Sequence, residues 1–312
     1  MTFLPFACPS STVVQVRRPL ERTMRAVSLP PIGALWGWTQ IALARNATKN
    51  LVRGTILVLS PHPDDETIGC GLLLAQMARE GHLTAAALAT DGRDGWYSVS
   101  PRPTPDRIAE LRRSEWHRAL DALNVPKDRR FELGLADGTL RDHEDALVEW
   151  ISELLRRLSP SQIFVTRPLD PHSDHRALFQ AARRSMIDLY DSAPDPGSLR
   201  HGISSGDRNV PPPQLYTYRV YPGEGLLPNG RPDATVAATL LQIARSVFSL
   251  IRRRPLILRA TTSISDKTAA IGAYESQRRL LNGELRYVWR TGVEIYWKMI
   301  VSSDPTSTDR DG

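Results

Sequence analysis

The apolar run Ile56-Leu57-Val58-Leu59 passes through Ser60 straight into Pro61-His62-Pro63-Asp64-Asp65-Glu66, and a helical pattern follows over 67–80. A buried strand that ends in a histidine and two adjacent aspartates places costly polar groups where a plain turn needs none. A second polar cluster, His172-Ser173-Asp174-His175, again trails an apolar run, Ile163-Phe164-Val165. Strand, polar cluster, helix is the unit from which an α/β fold is assembled.

The rest of the central region keeps that alternation. The pattern predicts strands over 55–60, 83–89, 130–133 and 162–166, and helices over 66–80, 144–158 and 175–190. A Gly- and Pro-rich loop over 90–105 leads to Asp106, which is expected to cap a helix with apolar residues at Ile108, Leu111, Trp116, Leu120 and Leu123. Strands separated by helices of this length imply βαβ units and a mostly parallel sheet flanked by helices. In such sheets ligands bind beyond the carboxyl ends of the strands. Both histidine clusters, Thr90-Asp91-Gly92 and Asp137 all fall at such ends.

Length and composition set the frame. The 312 residues are 41% hydrophobic and 24% charged, enough for one large domain with appendages. The net charge of +6 suits anionic partners or a basic solvated surface. No helix-turn-helix, zinc-finger or RNP-like pattern points to nucleic acid. Cys8 and Cys70 have no metal-ligand spacing and form no disulfide framework, which favours a reducing, cytoplasmic setting.

Residues 1–50 read as an N-terminal extension. Its basic residues precede an apolar stretch over 32–44, shorter than the roughly 20 residues a spanning helix needs. Residues 51–302 read as a single domain with its catalytic core at 55–190, and 303–312 as a disordered tail. Region 191–302 opens with an irregular loop over 192–213 and a strand over 214–220. Helical patterns follow over 234–251 and 266–281. In the first of these, Leu240, Leu241, Val247, Phe248 and Ile251 form an apolar stripe that runs into Arg252, Arg253 and Arg254. Such a segment suits either a core-packed helix with a basic end or a peripheral membrane contact.

Two histidines and one carboxylate form the ligand set of a catalytic zinc site that keeps one position open for water. Amide hydrolysis further needs a base near that water, a donor for the developing oxyanion and an acid for the amine. Of Asp64 and Asp65, one can ligate while the other takes a proton. Of His172 and His175, one can ligate while the other faces substrate, and Asp174 can orient a histidine. The same Pro-His-Pro-Asp-Asp run also suits an Asx-type turn and helix cap.

Residues 55–190 resemble the LmbE-like, or PIG-L, family of N-acetylglucosaminyl deacetylases. The matching pieces are Pro61 to Glu66 with Gly69 and Gly71, Thr90-Asp91-Gly92, Arg112 with Glu115, Leu133 to Gly138, and His172 to His175. Tyr274-Glu275-Ser276-Gln277 resembles a carboxyl-terminal Ser-Gln element of the family. The resemblance implies a Rossmann-like fold and a metal-dependent amidohydrolase that deacetylates an N-acetylglucosamine-type sugar. It implies His62, Asp65 and His175 as zinc ligands, Asp64 as general base, His172 as oxyanion stabiliser, and Arg112 and Asp137 facing the sugar. The implied partner is an N-acetylated amino sugar, lipid-linked or phosphorylated in some members. Two rival readings are a two-His-one-carboxylate iron oxygenase and a non-catalytic glycan- or lipid-binding protein. The oxygenase leaves the second aspartate without a task, and mere binding needs no base beside the metal.

Overall fold

The computed structural model describes residues 39, 42, 44–46, 54–96, 98–191, 211–221, 255–282 and 292–302. The stripe at Leu240 to Ile251, the arginines at 252–254, most of residues 1–50 and the tail at 303–312 lie outside them.

Four strands come in quick succession: β2 (Ile56–Ser60), β3 (Thr84–Thr90), β4 (Arg130–Leu135) and β5 (Gln162–Thr166). Each pairs in parallel, β2 with β3 and β5, and β3 with β4. Strand β6 (Gln214–Tyr218) extends the parallel set beside β5. Every residue of β2, β3 and β5 is buried, which is why these segments read as continuous apolar runs rather than alternating ones.

Helices cover both faces. They are α1 (Asp65–Arg79), α2 (Pro105–Ala122), α3 (Glu144–Leu158), α4 (Ser173–Met186), α5 (Ile264–Ala273) and the short α6 (Arg278–Asn282). Successive side chains of a strand point to opposite faces. Ile56 and Val58 accordingly join one core with Leu73, Trp116 and Ile271, while Leu57 and Leu59 join another with Ile151, Leu155 and Leu178. No helix among the described residues is long and apolar enough to cross a membrane.

Several expectations change. Thr104, not Asp106, caps α2, its hydroxyl accepting from the Arg107 N–H at 3.4 Å. The single helix expected over 266–281 is α5, a 3-10 turn (Glu275–Gln277) and α6. The break falls where Tyr274, Ser276 and Gln277 turn into the protein instead of continuing one face. Sequence periodicity also missed two short strands, β7 (Leu256–Arg259) and β8 (Val293–Lys298). Strand β8 runs antiparallel to both β6 and β7, and Arg45–Asn46 (β1) adds in parallel to β7. Residues of the expected extension thus reach the sheet edge.

The sheet order is β1-β7-β8-β6-β5-β2-β3-β4. From β2 the chain first winds outward through β3 and β4, then returns to the other side of β2 with β5. The order reverses between β2 and β5, and a crevice at such a reversal is where open α/β sheets bind ligands.

Candidate metal centre

Both histidine clusters lie at that reversal. His62 follows β2, and His172 to His175 follow β5 and open α4. Nδ1 of His62, Oδ2 of Asp65 and Nε2 of His175 form a triangle with edges of 3.2, 3.3 and 3.3 Å. Ligand atoms about 2.0–2.1 Å from a tetrahedral zinc stand about 3.3–3.4 Å apart, so the triangle has the size of one face of such a site.

The outer nitrogens decide what the inner ones present. Nε2 of His62 faces Asp137 Oδ1 at 3.2 Å and Asp174 Oδ2 at 3.3 Å. Nδ1 of His175 faces Asp170 Oδ2 at 2.9 Å. Each carboxylate draws the imidazole proton to the outer nitrogen, leaving a lone pair aimed at Asp65. Three acceptors at this spacing need a cation among them, and the residues present fit a divalent metal. Other groupings share the same imidazole: His62 with His172 and His175, and His62 with Asp137 and Asp174, each with donor atoms within 4.8 Å. The tighter triangle, with both outer nitrogens already held by carboxylates, is the better fit.

Electrostatics agree with that reading. Burial opposes charge on His175, but Asp170 and Asp65 outweigh it and raise the imidazole to about 10. Burial likewise opposes charge on His62, and Asp137, Asp174 and Asp65 raise it well above its ordinary value. Burial works to raise Asp65, yet His175 and His62 hold its carboxyl far below the usual range. Asp137 is treated the same way: His62 and Arg112 keep it low against burial. Without a metal, this cluster gathers protons in its place.

Asp64 stands apart from the triangle. It precedes α1 with φ 117° and ψ −28°, a left-handed conformation that a residue with a Cβ rarely adopts. Its carboxylate makes no capping bond to α1 and instead accepts from Arg112 Nη2 at 3.1 Å. Burial, with Asp65 and Glu66 adding to it, pushes the Asp64 carboxyl up to about 8 against the pull of Arg112. A carboxyl in this range can both take and return a proton near neutrality. Arg112 also donates to the carbonyls of Gly92 and Pro63 and is 3% exposed.

His172 is the N-cap of α4, and its Nδ1 accepts from the Asp174 N–H at 3.2 Å. That fixes the proton on Nε2. Burial, with His62 and His175 nearby, lowers the imidazole to about 4. His172 is therefore a neutral N–H donor at neutral pH. Asp174 orients His62 and also binds the backbone N–H groups of Gly138 at 2.7 Å and Leu140 at 3.3 Å.

All eight candidate residues thus come together, with two shifts of emphasis. Arg112 and Asp137, expected to face a sugar, find their near partners within the protein, in Asp64 and His62. Sequence reasoning missed Asp170, whose carboxylate is fully buried against His175 and whose Oδ1 accepts from the His172 N–H at 2.8 Å. The signal was present in Asp170-Pro171-His172, a carboxylate beside a Pro-His step at a strand end, as in the first cluster.

The model of the PIG-L family, described as GlcNAc-PI de-N-acetylase, matches residues 57–186. The uncharacterized deacetylase YaiS of Escherichia coli K12 is 31% identical over 146 residues, which cover 45% of this chain and 71% of the relative. The chain belongs to the PIG-L family. Another relative, the 1D-myo-inositol 2-acetamido-2-deoxy-alpha-D-glucopyranoside deacetylase of Kineococcus radiotolerans, is 33% identical over 196 residues. That match covers 60% of this chain but 45% of the relative, so the chain spans under half of that longer enzyme. Solved structures share the PIG-L fold at lower identity. The N,N'-diacetylchitobiose deacetylase of Pyrococcus horikoshii superposes with a TM-score of 0.55 at 18% identity, covering 81% of this chain and 88% of that one. GalB, a 4-carboxy-2-hydroxymuconate hydratase of Pseudomonas putida, gives 0.54 at 20% identity, covering 76% and 84%. One fold carries two chemistries, so function has to be argued from the site.

Proposed function

We propose that this chain hydrolyses the N-acetyl group of an N-acetylglucosamine-type sugar in a glycoconjugate, releasing acetate, with zinc held by His62, Asp65 and His175. The observation that carries this reading is the 3.2–3.3 Å donor triangle with Asp64, paired to Arg112, set beside it. Membership of the PIG-L family and the deacetylase names of its relatives support it.

When bound, zinc supplies a Lewis acid and an acidified water at neutral pH. The protein's own groups do the rest. Asp137, Asp174 and Asp170 hold the ligand imidazoles in the tautomers that present lone pairs inward. Asp64 accepts the proton of the attacking water and returns it to the leaving amine, the guanidinium of Arg112 holding its carboxylate in place. His172 donates its Nε2 proton to the oxygen that becomes negative as the amide carbon turns tetrahedral. An iron oxygenase has no use for this pair of proton-handling groups, and a binding protein has no use for Asp64 in a strained backbone.

The substrate is further proposed to be phosphorylated or lipid-linked, since the chain is basic and Arg252-Arg253-Arg254 follow an apolar stripe. The deciding experiment combines metal analysis of the purified protein with an acetate-release assay across N-acetylated sugars, free, phosphorylated and lipid-linked. Zinc near one equivalent and release from at least one sugar is the expected result. No release from any of them by zinc-loaded protein rejects the reading.

A further inference from the structure

The Tyr274–Gln277 turn has no part in the chemistry above, yet two of its inward side chains, Ser276 and Gln277, end on groups beside Arg112, the partner of Asp64. Ser276, 2% exposed, gives its N–H and its hydroxyl to the two oxygens of Glu115, at 2.8 and 2.6 Å. Glu115 is fully buried and stands one helical turn beyond Arg112 on α2. Gln277, 1% exposed, donates from Nε2 to the Gly95 carbonyl at 2.5 Å and to Ser276 Oγ at 2.9 Å.

Gly95 is the meeting point. A methyl group there would lie 2.0 Å from Arg112 Nη1 and 3.2 Å from Gln277 Nε2, so the loop backbone is pressed between the amide and the guanidinium. Gly92, whose carbonyl accepts from Arg112, leaves room the same way, a methyl group there lying 2.9 Å from Nη1. Ser98 closes the ring by donating its N–H to the Ser276 carbonyl at 2.9 Å. Arg112 is thus confined by the facing loop at Gly92 and Gly95 and feels the carboxylate charge of Glu115 from one turn along its own helix. Glu115 and Gly95 are in turn fixed by adjacent residues of one turn.

We infer that Ser276 and Gln277 are positioning residues that set the angle at which Arg112 presents Asp64 to the metal centre. The inference rests on Asp64 serving as the base. Ser276→Ala removes one of two bonds to Glu115 and leaves the backbone bond in place, so it is the milder variant, and Gln277→Leu removes the brace on Gly95. In zinc-loaded full-length chain, assayed with the best-cleaved sugar of the panel, each should lower kcat about tenfold with KM within twofold of wild type. Ser276→Thr, which keeps the hydroxyl, should restore most of the rate. In an Arg112→Lys background, Gln277→Leu should cost no further rate, because both changes act through one guanidinium. Losses that multiply in the double variant, or a fall in Tm with wild-type kcat, overturn the inference.

A second readout does not depend on turnover. The side-chain N–H resonances of Arg112, identified by their disappearance in Arg112→Lys, should be resolved in wild type and averaged in Ser276→Ala and Gln277→Leu. Unchanged resonances overturn the inference. Failure of wild type to release acetate from any sugar would instead reject the deacetylase reading, with the resonance test still deciding the positioning role.

Discussion

Lys267 Nζ lies 2.7 Å from Glu294 Oε1, and each side chain is 2% exposed. The pair is set against the middle of α1. Glu294 accepts the backbone N–H groups of Leu72 and Leu73 at 2.7 and 2.9 Å, while Lys267 donates to the Ile68 carbonyl at 2.6 Å. Helix, late helix and last strand are joined at one buried point.

Removing either partner strands a charge in a dry interior. Lys267→Met and Glu294→Gln should each lower stability by about 3–5 kcal/mol, measured by urea unfolding. Glu294→Gln keeps an acceptor for only one of the two N–H groups and should be no milder than Lys267→Met. A loss below about 1 kcal/mol in both would show that the pair adds little.

Metal retention separates ligands from their supports. His62→Ala, Asp65→Ala and His175→Ala should each lose bound zinc, since each removes one of three donors. Asp170→Asn should still bind one equivalent but about 10–100-fold more weakly, because the His175 tautomer is no longer enforced. Unaltered affinity in Asp170→Asn would leave the tautomer argument without support.

Asp64→Asn should keep zinc and fold while turnover drops about 10²–10⁴-fold, because an amide takes no proton from water. Asparagine tolerates the left-handed backbone, which makes it a cleaner probe than alanine. His172→Ala should also keep zinc and lose rate through the missing oxyanion donor. Turnover within threefold of wild type in Asp64→Asn would move the base elsewhere.

Gly69 has a purely steric reason to be glycine. A methyl group there would stand 2.1 Å from the ring of Tyr218, whose hydroxyl is anchored on the Leu59 carbonyl at 2.9 Å. Gly69→Ala should cost about 1–3 kcal/mol by overpacking, read as a lowered unfolding midpoint. Wild-type stability would mean that the ring gives way.

The central sheet was legible because parallel strands buried on both faces leave runs such as Ile56 to Leu59 and Ile163 to Val165. Those runs end in polar clusters, and the one after β2 makes no side-chain cap to the helix it precedes. Strands β7 and β8 were not legible because, unlike β2 and β5, they are only partly buried and include charged residues. Spacing alone names the site residues but not their division of labour, which only the family resemblance implied. Nothing in the spacing of Asp137 shows that it meets His62, and nothing in Lys267 or Glu294 shows that they meet each other. Such contacts depend on side-chain direction across elements, which a linear pattern does not carry.

The crevice between β2 and β5 draws its donors from residues 113 positions apart, His62 and His175. During synthesis, a chain that has emerged only as far as α3 owns His62 and Asp65 but no third donor. The β2–β5 pairing that completes the set is also the last to form in chain order among the strands that touch β2. On the proposed ligand set, capture of the ion therefore follows the meeting of the two halves of the sheet, and a lasting hold on it would certify that the polypeptide has been threaded to the end of its catalytic core.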